Sequence, residues 1–281
     1  MKLIRFGAKG HEQPGVLIDG TRRDCSAHFD DWNHDFFQNG GLDDLRALVE
    51  RKGASLPEVS EDARWGAPIA RPGLIMCIGL NYSDHAKEAG MAIPTEPLLF
   101  GKATNTISGP YDDVPMPPGE VKVDWEVELG VVVGRDVSYL ANEGEAATAI
   151  AGYCVVNDLS ERAAQLERGG QWIKGKSAPG FCPAGPYLVT ADEVPDPMAL
   201  GMRLSVNGEV MQDGSTKTMI FSPAHAIWYM SQHMLVEAGD LISTGTPPGV
   251  GLGFKPPRYL KSGDVVELSV EGLGEQRQRF V

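Results

Sequence analysis

The segment that most limits what this chain can become is VDWEVELGVVVGR, residues 123–135. Side chains alternate sides along a strand, so Trp125, Val127 and Leu129 share one face and Asp124, Glu126 and Glu128 the other. From Gly130 the alternation stops, and Val131, Val132 and Val133 follow in succession. Such a run predicts a strand covered on both faces. The acids are then the anomaly. Glu126 and Glu128, about 7 Å apart along a strand, would be very costly to bury without a counter-charge. A cation between them removes the difficulty. On an exposed strand the same alternation would be ordinary surface.

The rest of the chain reads as α+β, mainly β, and rich in turns. It contains 34 glycines and 20 prolines, and its apolar runs are short. MKLIRF and GVLIDG read as strands, LDDLRALVERKG as a helix stopped by glycine, and SLPEVSEDARWGAPIARPG as a proline-rich connector. For 281 residues this predicts a small N-terminal α/β module over 1–70 and a larger unit over 71–281. In the larger unit, LIMCIGLN and AGYCVVND read as buried strands, the second ending at Asp158. YSDHAKEAG and LSERAAQLERGG read as helices, and Asn207–Gly208 marks a hairpin. SPAHAIWYMSQHM is a helix with Pro223 near its start, and DLISTGTP, DVVELSV and EQRQRFV are strands. Strands and helices do not alternate regularly, which argues against a doubly wound sheet or a closed parallel barrel.

Composition excludes several classes. Acids outnumber bases 38 to 25, for a net charge of −13, which disfavours non-specific nucleic-acid binding. No stretch approaches a membrane span, and the opening MKLIRFG carries no apolar signal run. The four cysteines, at 25, 77, 154 and 182, form no C-x-x-C pair. The expectation is a cytoplasmic protein with reduced thiols, Cys77 and Cys154 being core residues. GVGLGFKPP lacks the dinucleotide spacing, and neither G-x-S-x-G nor H-E-x-x-H occurs. His11, His28 and His34 have no ligand spacing, and His225 and His233 sit in an apolar helix.

Asp158 closes a buried strand at a corner, either as the cap of the next helix or as a third carboxylate. If the helix starts there, Asp158, Arg162 and Gln165 share one side, a surface suited to a carboxylate ligand beside a metal. Three oxygen donors favour Mg²⁺, then Mn²⁺, over Zn²⁺. His85 and Glu88 stand three apart on a short helix, close enough to hydrogen-bond, either as a solvated surface pair or as a general base with its orienting acid. Their Gly-flanked segment, 81–90, reads as a lid. Lys102, Lys176 and Thr246 lie at strand or loop ends, where ligand contacts concentrate.

GLNYSDHAKE, PLLFGKAT, DWEVELGVVVGR, NDLSERAAQ, KGKS and STGTPPGVG occur in this order, and together they resemble the fumarylacetoacetate hydrolase superfamily over 71–281. The resemblance implies a mixed β-roll, usually assembled as a homodimer. It implies metal ligands at Glu126, Glu128 and Asp158, and a water-activating pair at His85 and Glu88. Substrate contacts are implied at Arg162, Gln165, Lys176 and Thr246, with Lys102 a neighbour and Lys176 positioned to stabilise oxyanion charge. QWIKGKS, GEVMQDGSTKTM and TPPGVGLGFKPPRYLKSGDVVEL are similar to the bacterial 2,4-diketo-3-deoxy-L-rhamnonate and L-fuconate hydrolases. The implied reaction is metal-dependent carbon–carbon hydrolysis of a β-diketo sugar acid to pyruvate and a 2-hydroxy acid such as L-lactate. Oxaloacetate-type decarboxylation and isomerisation of a hydroxy-diene dioate are the alternatives on the same fold. A non-catalytic binding protein would be expected to keep the metal triad without the His–Glu pair.

Overall fold

The computed structural model describes residues 1–88, 90–119 and 121–281. Its strands are β1 (Lys2–Phe6), β2 (Gln13–Ile18), β3 (Thr21–Asp24), β4 (Ile75–Gly79), β5 (Leu98–Lys102), β6 (Ile107–Ser108), β7 (Val123–Asp124), β8 (Val127–Val133), β9 (Ile150–Asn157), β10 (Ser160–Glu161), β11 (Cys182–Thr190), β12 (Gly201–Val206), β13 (Glu209–Ser215), β14 (Leu241–Ser243), β15 (Val265–Val270) and β16 (Gly274–Arg279). The helices are short: α1 (His34–Gln38), α2 (Gly41–Lys52), α3 (Ser83–Glu88), α4 (Glu143–Ala147), α5 (Arg162–Leu166), α6 (Ile173–Lys176) and α7 (Pro223–Ser231).

The main sheet has ten strands, in the order β3-β2-β1-β11-β9-β8-β14-β4-β5 with β6 beside β11. It is mixed: β14 runs parallel to β4 and β6 parallel to β11, and the other pairs are antiparallel. A second sheet, β13-β12-β15-β16, has four strands. The expected mainly β architecture with minor helix is what the chain adopts. β1 pairs with β11, so the N-terminal strands extend the main sheet.

β8 is buried along its whole length. Val127, Leu129, Val131 and Val133 enter the core shared with β12, β15 and α7. Val132 enters the other core, shared with β1, α1 and α2. One strand thus serves two cores, which is why its sequence stops alternating. Cys77 and Cys154 lie in the second core, and all four cysteines are buried and free.

Local chemistry sets several element ends as expected. Asn207 and Gly208 both take positive φ, +52° and +81°, the requirement of a two-residue hairpin turn. Ser222 caps α7 by accepting from His225 N, with Pro223 in the first turn.

Three expectations need correction. The strand predicted over 123–135 is broken at Trp125–Glu126 into β7 and β8; there Trp125 N donates to Asp124 Oδ1 and Glu126 N to Asn157 Oδ1 instead of to backbone partners. DLISTGTP contributes only the three residues of β14. The helix predicted from 159 starts at Arg162: Ser160 and Glu161 pair with β7, and Glu161 caps the helix by accepting from Ala163 N and Ala164 N. Asp158 is therefore neither a cap nor on the helix. The segment expected as a lid, 81–90, contains α3, and its residue Ala89 lies outside the described residues.

Candidate metal and catalytic site

Strand register builds the carboxylate cluster. Val127 sits opposite Asn157, and Asp158 N donates to Glu126 O at 3.0 Å. The start of β8 and the end of β9 are thus fastened together, and Glu128 follows one strand repeat after Glu126. Glu126, Glu128 and Asp158 are all buried, and each offers a carboxylate oxygen within 4.8 Å of the others.

Three buried cations answer this charge. Lys176 Nζ, on α6, lies 2.7 Å from Glu126 Oε2 and 2.6 Å from Asp158 Oδ2. Lys102 Nζ, at the end of β5, donates to Asp158 Oδ1 at 2.5 Å and to Leu159 O. Arg162 Nη2 donates to Glu126 Oε1 at 2.7 Å, Nε to Asp124 Oδ2 at 2.8 Å, and Nη1 to Gln165 Oε1 at 3.0 Å. Burial alone would push the Glu126 carboxyl up, but Lys176 and Arg162 together hold it well below the usual carboxylate range. Burial would likewise lower Lys176 and Arg162, and their acidic partners keep both firmly protonated.

Glu128 behaves oppositely. Its recorded hydrogen-bond donors are neutral, Ser243 Oγ at 2.6 Å and Gly245 N at 2.7 Å. Burial, then the charges of Asp158 and Glu126, push its carboxyl well above the usual range. A buried carboxylate raised by its acidic neighbours is a group that a further cation would stabilise in its ionised form.

A cavity of about 570 Å³ opens onto this cluster. Its lining includes the polar Glu126, Glu128, Arg162, Gln165 and Lys176 and the apolar Leu98, Phe100, Leu166, Trp172 and Leu252. His85 and Glu88 also line this cavity. His85 Nδ1 lies 3.1 Å from Glu88 Oε2, so the carboxylate holds the Nδ1–H tautomer and leaves Nε2 as the basic nitrogen. Glu88 is itself anchored by Gly249 N at 3.2 Å.

The fumarylacetoacetate (FAA) hydrolase C-terminal family model matches residues 74–281. The chain belongs to the fumarylacetoacetate hydrolase family. Relatives from Burkholderia multivorans and Burkholderia lata, whose names give hydrolase provisionally and no substrate, are 54% and 53% identical over 99% of this chain and 98% of each relative. Among solved structures, a fumarylacetoacetate hydrolase from Exiguobacterium antarcticum is 35% identical with a TM-score of 0.85, covering 100% of this chain and 99% of that one. Maleylpyruvate hydrolase from Sphingobium sp. SYK-6, solved with manganese(II) and pyruvate, is 27% identical with a TM-score of 0.82, again covering 100% and 99%. No helix among the described residues is long and apolar enough to cross a membrane.

In this family member the donor chemistry fits a divalent metal. All three converging groups are carboxylates, each oxygen has two lone pairs, and the recorded hydrogen bonds leave room for a metal bond on every residue. Charge agrees. Asp124, Glu126, Glu128 and Asp158 face Lys102, Arg162 and Lys176, four negative groups against three positive, or −1. A divalent ion would bring this cluster to +1.

The structure gathers most of the residues singled out in the sequence, for reasons that differ from those expected. Arg162 and Gln165 share a face of α5 and hydrogen-bond there, whereas Asp158 lies off the helix and is linked to Arg162 through Lys176 and Glu126. Lys102 is buried against Asp158 and does not line the cavity. Thr246 reaches the cavity wall, yet its hydroxyl donates to Val127 O and accepts from Gln212 Nε2. Sequence reasoning missed Ser243 and Gly245, which hold Glu128, and Trp172 and Phe100 on the wall. The STG motif was the available signal for the first two. Nothing local marks the aromatic pair.

Proposed function

We propose that this chain is a Mg²⁺-dependent hydrolase that cleaves the carbon–carbon bond of a 2,4-diketo-3-deoxy sugar acid, the L-rhamnonate or L-fuconate derivative, to pyruvate and L-lactate. Mn²⁺ is the alternative ion. The observation that carries this reading is that the His85–Glu88 pair lines the same cavity as Glu126 and Glu128, two members of the three-carboxylate cluster. That combination supplies both a water activator and a seat for an α-keto acid. The manganese and pyruvate held by the similar maleylpyruvate hydrolase support the same product half.

A divalent cation bound by Glu126, Glu128 and Asp158 would supply positive charge to the 2-keto acid end and to the enolate that leaves. The chain's own groups do the rest. His85 Nε2 takes a proton from water while Glu88 stabilises the charge arriving on the ring. The hydroxide adds to the 4-carbonyl carbon, and the bond between carbons 3 and 4 breaks. Lys176 uses two of its three N–H donors on Glu126 and Asp158, leaving one for developing oxygen charge. The proton taken by His85 returns to carbon 3, giving pyruvate.

The test is incubation with Mg²⁺ and the 2,4-diketo-3-deoxy acid, one compound from either sugar because only carbon 5 keeps a stereocentre, assaying pyruvate and L-lactate, with EDTA and His85→Ala controls. Equimolar products lost in both controls support the reading. Release of carbon dioxide from oxaloacetate, or isomerisation of a hydroxy-diene dioate, without lactate formation overturns it in favour of another reaction of the family.

A further inference from the structure

Asp124 is fully buried and belongs to neither the carboxylate cluster nor the His–Glu pair. Its carboxylate nevertheless takes four N–H donors. Oδ1 accepts from Trp125 N at 2.8 Å and Gly251 N at 2.6 Å. Oδ2 accepts from Leu252 N at 3.0 Å and Arg162 Nε at 2.8 Å. Two donors therefore come from the loop after β14, and one comes from the guanidinium that also holds Glu126. The same loop presents Gly249 N to Glu88.

The loop is shaped for this approach. A Cβ on Gly251 would lie 2.1 Å from Arg258 O and 2.7 Å from Asp124 Oδ1. At Gly249, φ is +104°, and a Cβ would lie 2.0 Å from Met211 O. On the other side, α3 has six residues, too few to be stable alone, so tertiary contacts decide where it sits.

We propose that Asp124 is a positioning residue that sets the His85–Glu88 pair in register with the Glu126 end of the carboxylate cluster, acting through the 249–252 loop on one side and Arg162 on the other. The proposal rests on the hydrolytic reading only in its kinetic consequence. A water held between the pair and the cluster reacts only if both ends are placed together, and a 1 Å misplacement costs about 100-fold in rate. Hydrogen bonds to an ionised carboxylate are the strong kind, suited to fixing a loop.

The experiment measures amide hydrogen exchange in the wild type, Asp124→Asn, Gly251→Ala and Glu88→Gln proteins, followed by kinetics on 2,4-diketo-3-deoxy-L-rhamnonate. Asp124→Asn places an N–H₂ group against donors. It should speed exchange by about tenfold or more, the loss of one charge-assisted hydrogen bond, both in the 249–252 loop and in α3. Faster exchange confined to the loop overturns the proposal. Gly251→Ala moves the loop while keeping the carboxylate and Arg162, and gives the same readout if the first variant does not fold. In kinetics, Asp124→Asn should lower kcat by about 100-fold with KM nearly unchanged. Combined with Glu88→Gln it should add little to the single Glu88→Gln loss; multiplying effects would also overturn the proposal. Full turnover by Glu88→Gln alone would instead overturn the hydrolytic reading and leave the exchange result to judge Asp124.

Discussion

Lys176 Nζ lies 2.6 Å from Asp158 Oδ2, and both groups are out of water. The ammonium also holds Glu126, so among the described residues it is the one cation bridging two of the three candidate ligands. Replacing it by methionine keeps most of the volume and removes the charge. The metal-free variant should lose about 3–5 kcal/mol, as expected when one partner of a buried pair is removed. Urea unfolding checks this. Mn²⁺ should recover part of the loss by restoring positive charge. An equal loss with and without Mn²⁺ would show that Lys176 and the ion do not share a site.

Glu128 should respond with the opposite sign. Its carboxyl is pushed up by burial and by Asp158 and Glu126, so its ionisation weakens the metal-free fold. The folded value lies above the unfolded one. The protein is therefore favoured below the usual carboxylate range and loses that favour as pH rises above it. Glu128→Gln should raise the metal-free Tm at pH 7 and remove the rise in Tm that Mn²⁺ gives the wild type. For the wild type that rise corresponds to about 2.7 kcal/mol at an ion concentration 100-fold above Kd. A variant still stabilised by Mn²⁺ to the full extent would exclude Glu128 as a ligand.

Asp240 offers a pH test away from the site. Burial pushes its carboxyl from 3.8 up to about 6, against hydrogen bonds from Glu237 N and Leu74 N. Because the folded value is the higher one, stability declines between about pH 4 and pH 6 and is level above. The stability difference between wild type and Asp240→Asn should shift by roughly 2–3 kcal/mol across that window, in favour of the variant at the higher pH. Denaturant melts at pH 4 and pH 7 measure it; a pH-independent difference would refute it.

Thr246 lines the cavity, but its hydroxyl already bridges Val127 O and Gln212 Nε2. Thr246→Val strands both partners and should destabilise by about 1–3 kcal/mol. Thr246→Ser should keep stability near wild type, and KM with it. A large KM increase in the serine variant would show that the threonine methyl group contributes to substrate binding.

Two of the candidate ligands, Glu126 and Glu128, were legible because strand periodicity is local. Glu126 and Glu128 two apart, followed by an apolar run, already implied buried acids in need of a cation. His85 and Glu88 were legible for the same reason, three apart on one helical turn. The hairpin at Asn207–Gly208 and the cap at Ser222 also depend on neighbours in sequence. What the tertiary structure decided was how the charges are matched. Lys176 meets Glu126 across 50 residues and Gly251 meets Asp124 across 127, and no local period encodes such pairs. The start of α5 at Arg162 rather than earlier is of this kind: β7 captures Ser160 and Glu161 first. Periodicity specifies which face a residue occupies, while the partner opposite that face is set by chain closure over long loops, where many pairings are sterically open and only the packed whole selects one.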